Sequence, residues 1–414
     1  MIFFIYQFLL SIILIFSPII IIIRILKNKE DKLRFKEKFC LISKERGNGK
    51  LVWFHGSSVG EILSVIPIIK KYDNDKSIGK ILITSSTLSS SRILEKIKFK
   101  KTIHQFYPID HAIFSRKFLD HWKPNIAIFL ESEIWPSMFK SIKNRNILLI
   151  LLNARITKRS FDRWSKFKEF SYTIFGLIDK AYSQNSETNH YLKRLNVKNI
   201  QSIGNIKFIG DNNIKSDKSD KKLFSQFKKY KTFIAASTHE TEELFAAKTH
   251  ILLKKKNKNI ITIIIPRHIN RVKQIITEIN DLGLNVVSRS SKKLKLKGID
   301  IFIVDTFGET KKFYKFATTV FLGKSIIKGG GQNPLEPARF GAKILHGPDV
   351  NNFKDVYKYL SRLKISSVVN SPQTCANSIV FKKNMKKVQK MKYLGSTILK
   401  KTLNELDKTI HNET

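Results

Sequence analysis

Three glutamates in the first half of the chain stand where short apolar runs give way to polar loops. In parallel sheets that is where side chains meet ligands. Leu51–His55 runs into Gly56-Ser57-Ser58-Val59-Gly60-Glu61. A carboxylate at Glu61 can take a proton from an attacking hydroxyl. Ser58 and Glu61 also have the spacing of a helix capping box, and on spacing alone the cap is slightly the stronger reading. Ile128–Leu130 leads into Glu131-Ser132-Glu133, two acids two apart that point the same way on an extended segment. Such acids are costly without a partner. Arg155, in Asn153-Ala154-Arg155, is the expected one. The network serves a ligand or simply braces a cleft. Thr84 opens a hydroxyl-rich loop suited to a polar ligand or to ordinary capping.

The second half offers different chemistry. Ser237 and Thr238 end an apolar run with hydroxyls and backbone donors, and Arg267, after another run, is placed to hold a phosphate or carboxylate. Gly308 and Glu309 follow a third run. Gly329-Gly330-Gly331 lets the backbone turn tightly, and Asn333-Pro334 then opens a short helix with Pro at its first position. A helix start behind a glycine loop is a seat for phosphate, and Glu336 in its first turn can accept from sugar hydroxyls. A plain turn with an acid complementing the helix dipole fits the same residues. Four such loops converging on one crevice point to a phosphate-containing donor. There is no P-loop lysine motif and no GxGxxG after the first strand, so ATPase and dinucleotide readings are weak.

These loops need strands and helices in alternation. Apolar runs at 51–55, 81–85, 103–107, 126–130, 147–152, 181–183 and 199–203 predict strands. Amphipathic stretches between them predict helices, among them one long helix over 160–178. The polar stretch 209–222 reads as a linker. The alternation then restarts with strands at 232–236, 260–265, 285–287, 300–304, 319–322 and 343–345, and the Lys-rich tail reads as one or two helices. Strand–helix alternation means parallel sheets covered on both faces. The expected domains are 1–24 as membrane anchor, 25–208, the 209–222 linker, 223–377, and C-terminal helices over 378–414.

A chain of 414 residues is too long for one core. Ile2–Ile23 is nearly continuous apolar sequence, long enough to cross a bilayer. The basic residues follow it, from Arg24 to Lys38, which predicts a cytoplasmic body anchored to the inner face of a membrane, single-pass or peripheral. The formal net charge of +43 comes mostly from scattered Lys. With no nucleic-acid motif present, an anionic phospholipid surface is the expected partner and nucleic acid is not. Cys40 and Cys375 are far apart without metal spacing, and no His/Cys cluster or DxD-type pair calls for a metal.

Several blocks in order carry a family resemblance: WFHGSSVGE from Trp53, ESEIWP, NAR, GNIKF, AASTHETEE, PRH, DTFGE, and GGGQNPLEPARFGAKILHGP with NNF. From about Trp53 to Phe353 the chain resembles the bacterial 3-deoxy-D-manno-octulosonic acid (Kdo) transferases of lipopolysaccharide synthesis. The resemblance implies an α/β GT-B fold, two Rossmann-like doubly wound domains facing a cleft, with the C-terminal helix packed back on the N-terminal domain. It implies inverting transfer of Kdo from CMP-Kdo to the lipid A precursor (lipid IVA), without a cofactor. Glu61 inherits the role of general base. Donor binding falls to Ser237, Thr238, Arg267, Gly308, Glu309, Asn333 and Glu336, with Lys207 of the GNIKF block. Ser58, Thr84, Glu131, Glu133 and Arg155 are left for the acceptor side or the cleft network. Gln332 stands where the family usually has histidine, Lys324 lies where a second glycine is usual, and the Thr84 loop is degraded. A GT-B enzyme moving a UDP-sugar to a lipid-linked acceptor is the rival enzyme reading, and a membrane-tethered binding protein the non-enzyme one.

Overall fold

The computed structural model describes residues 2–42, 44–210, 218–291 and 295–412. The chain forms two compact units, Met1–Gly210 with Leu394–Thr414, and Asp211–Tyr393.

In the first unit β1 (Leu51–His55), β2 (Lys80–Ser85), β3 (Thr102–Phe106), β4 (Ile126–Leu130), β5 (Leu148–Ala154), β6 (Lys180–Ser183) and β7 (Ile200–Ser202) form a parallel sheet in the order β3-β2-β1-β4-β5-β6-β7. β1 and β4 are buried at every position, which is why β4 is an unbroken apolar run and β1 is one as far as its last residue, His55. The strand order reverses between β1 and β4, the switch point where doubly wound sheets open a crevice at their carboxyl ends. Glu61 follows β1, and Glu131 and Glu133 follow β4. One side of the sheet packs on an aromatic core in which Trp53 meets Phe118 at 4.8 Å and Phe129 at 5.1 Å between ring centroids. The long helix expected over 160–178 is two, Lys158–Ser165 and Lys168–Phe175. Phe167 leaves helical geometry between them, and Trp164 turns edge-on to Phe175 at 5.2 Å.

The second unit repeats the architecture. β8 (Lys231–Thr238), β9 (Ile260–Pro266), β10 (Val286–Ser288), β11 (Ile301–Ile303), β12 (Thr319–Leu322), β13 (Lys343–His346) and β14 (Ser366–Val368) form a parallel sheet in the order β10-β11-β9-β8-β12-β13-β14. Its switch point lies between β8 and β12. β14 is absent from the sequence reading: it is a three-residue edge strand with one buried side chain, Ser366.

Of the stretch 209–222 expected as a linker, residues 211–217 lie outside the described residues, and a helix, Lys218–Phe227, begins within the rest. The tail is a single 28-residue helix, Met385–Asn412. Its residues from Leu394 onward belong to the first unit. There Tyr72 Oη donates to Asp407 Oδ1 at 2.8 Å, and Lys50 Nζ donates to the Ile410 carbonyl at 2.6 Å. Gly395 permits the approach, since a Cβ would stand 2.6 Å from the Phe208 carbonyl oxygen.

Candidate active site

At the end of β1, Gly56 lets the chain turn under its neighbours: a Cβ there would lie 2.9 Å from Leu130 Cδ1 and 3.1 Å from Glu61 Cβ. Ser58 then caps the helix Val59–Tyr72 in a complete capping box. Glu61 Oε1 accepts from Ser58 Oγ at 2.8 Å, and Oε2 accepts from the Ser57 N–H at 2.7 Å. The capping box expected from the spacing is formed, with both Glu61 carboxyl oxygens accepting from the chain ahead of the helix. Burial, then the Glu133 and Glu131 charges, push its pKa up to about 7. A carboxyl at that value is half ionised near neutral pH, where a general base works best.

Glu133 is its electrostatic opposite. The carboxylate accepts from Ser57 Oγ and from Trp135 Nε1 (2.9 Å), and His55 Nε2 faces it at 3.4 Å. Burial works to raise its pKa, but these donors outweigh burial and hold it below the usual carboxylate range. Two neighbouring carboxyls with pKa values driven apart mark a division of labour, one ionised and one able to exchange its proton.

His55, fully buried on Tyr107 at 3.9 Å, escaped the sequence reading although it ends β1. Burial lowers its pKa and keeps the ring neutral. Thr84 Oγ1 accepts from Trp53 Nε1 at 2.9 Å and meets His55 Nδ1 at 2.8 Å. Facing an acceptor-only carboxylate, the ring carries its proton on Nε2, and the Thr84 hydroxyl proton serves Nδ1. Thr84 is wholly buried, so it orients His55 and has no surface left for a ligand.

Glu131 corrects the expected pairing. Its φ is 54°, so the segment is not extended. Its carboxylate meets Lys207 Nζ at 2.5 Å rather than Arg155. Arg155 reaches Glu131 only through its backbone N–H, 3.2 Å from the carbonyl oxygen. Asn153 Nδ2 adds a long contact of 3.5 Å to Glu131. Lys207, expected with the donor residues, thus sits in the first unit with this network.

In the second unit Ser237 is a bulge residue at the end of β8 with φ 55°. Thr238 is buried, and its carbonyl accepts the Arg267 N–H at 2.9 Å, tying the ends of β8 and β9. The Arg267 side chain is exposed and has no partner among the described residues. Gly308 has φ 81° with nothing within 4 Å of a would-be Cβ, which leaves its backbone open to close approach. Glu309 is held by Thr306, by Arg289 Nε at 3.2 Å and by Lys312 at 3.0 Å. Asn333 Oδ1 accepts from the Leu335 N–H at 3.0 Å, so the short helix is Leu335–Arg339 and Pro334 precedes it. Glu336 meets Lys311 Nζ at 3.1 Å.

The glycine loop is not an open phosphate seat. The N–H groups of Gly329 and Gly330 donate to Asp349 Oδ2 at 2.8 and 3.1 Å, and that of Gly331 donates to the Lys324 carbonyl at 2.8 Å. Lys324 holds φ 59°, a left-handed value that ordinarily favours glycine. The loop is organised by Glu242, which the sequence reading missed. This buried carboxylate accepts the N–H groups of His239 (3.0 Å), Lys324 (2.7 Å), Ser325 (3.0 Å) and Ile326 (3.1 Å). It clamps the loops after β8 and β12 together at the switch point.

The family model described as 3-Deoxy-D-manno-octulosonic-acid transferase (kdotransferase) matches residues 33–209. The 3-deoxy-D-manno-octulosonic acid transferase of Rickettsia bellii (strain RML369-C) is 33% identical over 377 residues, covering 91% of this chain and 90% of its own length. That of Haemophilus influenzae is 26% identical over 325 residues, 77% of this chain and 76% of the relative. Two solved structures share the fold. UDP-GlcNAc 2-epimerase from Neisseria meningitidis, bound to UDP-GlcNAc, has a TM-score of 0.58 at 12% identity, over 89% of this chain and 100% of that one. A glycosyltransferase from Rickettsia africae ESF-5 has a TM-score of 0.55 at 13% identity, over the same 89% and 100%. The fold is GT-B. With 33% identity sustained along nine-tenths of both chains, this protein belongs to the 3-deoxy-D-manno-octulosonic acid transferase family.

Proposed function

We propose that the protein transfers Kdo from CMP-Kdo to a lipid A precursor during lipopolysaccharide synthesis, at the cytoplasmic face of the inner membrane. The acceptor hydroxyl attacks the anomeric carbon of Kdo with inversion. The bond from that carbon to the CMP phosphate oxygen breaks, CMP leaves with the electron pair, and the hydroxyl proton passes to Glu61. The observation that carries the reading is the Glu61 carboxyl at the switch point of the first sheet, with a pKa near 7. His55, Thr84 and Ser57 keep Glu133 ionised beside it, so Glu61 is the stronger base of the two. In the second unit the exposed Arg267 takes the charge of the nucleotide phosphate, and Ser237, the open Gly308 backbone and Glu336 bind the rest of the donor. Glu309 and Asn333 hold the loops that present them. The apolar helix Ile2–Leu26, long and apolar enough to cross a membrane, keeps the enzyme beside a lipid acceptor.

The test is transfer itself. Full-length protein is incubated with CMP-Kdo and a tetraacylated lipid A precursor, and the lipid is followed by mass spectrometry. A mass increase of one or more Kdo units is expected. An unchanged lipid, from protein that still binds CMP, overturns the acceptor or the sugar. Turnover with a UDP-sugar but not CMP-Kdo replaces the reading with the rival one.

A further inference from the structure

The N-terminal helix Ile2–Leu26 is docked along its length against its own unit. Its partly or fully buried positions include 3, 7, 10, 14, 17, 21 and 24, a seam of alternating three- and four-residue steps. Polar residues in the seam are matched by polar groups on the body. Tyr6 Oη donates to Asp110 Oδ2 at 2.7 Å. Gln7 uses both ends of its amide, Nε2 to Ser137 Oγ at 2.5 Å and Oε1 from the Ala112 N–H at 3.2 Å. Ser11 Oγ meets His111 Nε2 at 3.1 Å. Phe3 and Tyr6 pack on Phe170 at 6.5 and 5.8 Å.

These contacts exclude a spanning helix. Twenty residues separate Tyr6 from Leu26, a rise of about 30 Å, which is about the thickness of the hydrocarbon core. A helix crossing the bilayer with its basic flank in the cytoplasm puts Tyr6 and Gln7 at the far surface. Asp110 and Ser137 belong to the body on the near side and cannot follow. The rest of the helix surface is bare and apolar, with Phe4 76%, Ile15 73% and Leu26 76% exposed. Cations stand at both ends of this surface. Lys140 lies 4.2 Å over the Phe3 ring at one end, and Lys27 and Lys29 are exposed at the other. A helix lying flat meets headgroups at both ends, and cations at both suit it.

We infer that Ile2–Leu26 is an in-plane anchor, with its polar seam held by the protein and its apolar face sunk into one leaflet of an anionic bilayer. The inference rests on the membrane location proposed above. It makes the active-site unit ride on the membrane surface rather than hang from a flexible stalk, which fixes the height at which a lipid acceptor is met.

Two measurements on full-length protein in membrane vesicles decide it. The pair Gln7→Cys and Ser137→Cys, in a Cys40→Ser background, is treated with a short bismaleimide. A cleavable tag ahead of Ile2, on the otherwise unaltered chain, is exposed to protease from each face of the membrane. Intramolecular cross-linking of most of the membrane-bound protein is expected, with the tag cut only from the cytoplasmic face. A tag cut only from the opposite face, without cross-linking, overturns the in-plane anchor and leaves the membrane location standing. Recovery of all the protein in the soluble fraction overturns both.

Discussion

Replacing Glu133 with glutamine tests what sets the basicity of Glu61. Both carboxylates bind Ser57, Glu61 through its N–H at 2.7 Å and Glu133 through its hydroxyl, so one residue's width separates them. At about 6 Å and an effective dielectric of about 20, two unit charges repel by about 2.8 kcal/mol, roughly two pKa units. That is an upper bound at a partly solvated site. Burial is the larger cause of the rise from 4.5 to about 7, and Ser58 hydrogen bonds oppose it, so a Glu133 share of about one unit sits inside the two-unit bound. Glu133→Gln should therefore move the acidic limb of kcat/KM from about 7 to about 6. At pH 6 the ionised fraction of Glu61 then climbs from roughly one-eleventh to one-half, so activity relative to each enzyme's own plateau rises about fivefold. The assay is Kdo transfer to the lipid acceptor between pH 5 and 9. A variant midpoint still near 7, or a wild-type profile with no limb between pH 6 and 8, refutes the reasoning.

Other consequences follow from the same contacts. Glu61→Gln keeps the helix cap, since glutamine serves at that position, but removes the base; transfer should fall by about 100-fold or more while the thermal midpoint does not fall. The folded pKa of Glu61 lies above its unfolded value, so the wild type loses stability relative to this variant as pH rises from 4.5 to about 7, and urea midpoints across that window check the sign. Arg267→Ala removes an exposed side chain without a described partner; KM for CMP-Kdo should rise about tenfold with no change in melting, matching a lost charge-assisted contact. Glu242→Ala strands four backbone N–H groups, three of them in the loop after β12, and should destabilise the second unit by about 3 kcal/mol or more, read by urea unfolding.

What the sequence disclosed and what it hid follow from how far apart the interacting residues lie. β1 and β4 were legible because strands buried on both faces read as near-continuous apolar runs, and the capping box because its partners are three residues apart. The pairing of Glu131 was misread because its cation, Lys207, is 76 positions away, while the nearer Arg155 has only a backbone contact. The glycine loop carries the same lesson. Gly329-Gly330-Gly331 has the composition of a phosphate cradle, yet Asp349 already takes two of its N–H groups. A carboxylate about twenty residues downstream gives no local sign of that role. Glu242 stands in the first turn of a helix, where an acid ordinarily just complements the dipole, and only its burial against the loop after β12 reveals a clamp. Where a backbone donor is satisfied from within, glycine content no longer argues for a ligand. The donor phosphate of the proposed reaction is then left to side chains without a partner among the described residues, and Arg267, exposed at the end of β9, is one of them.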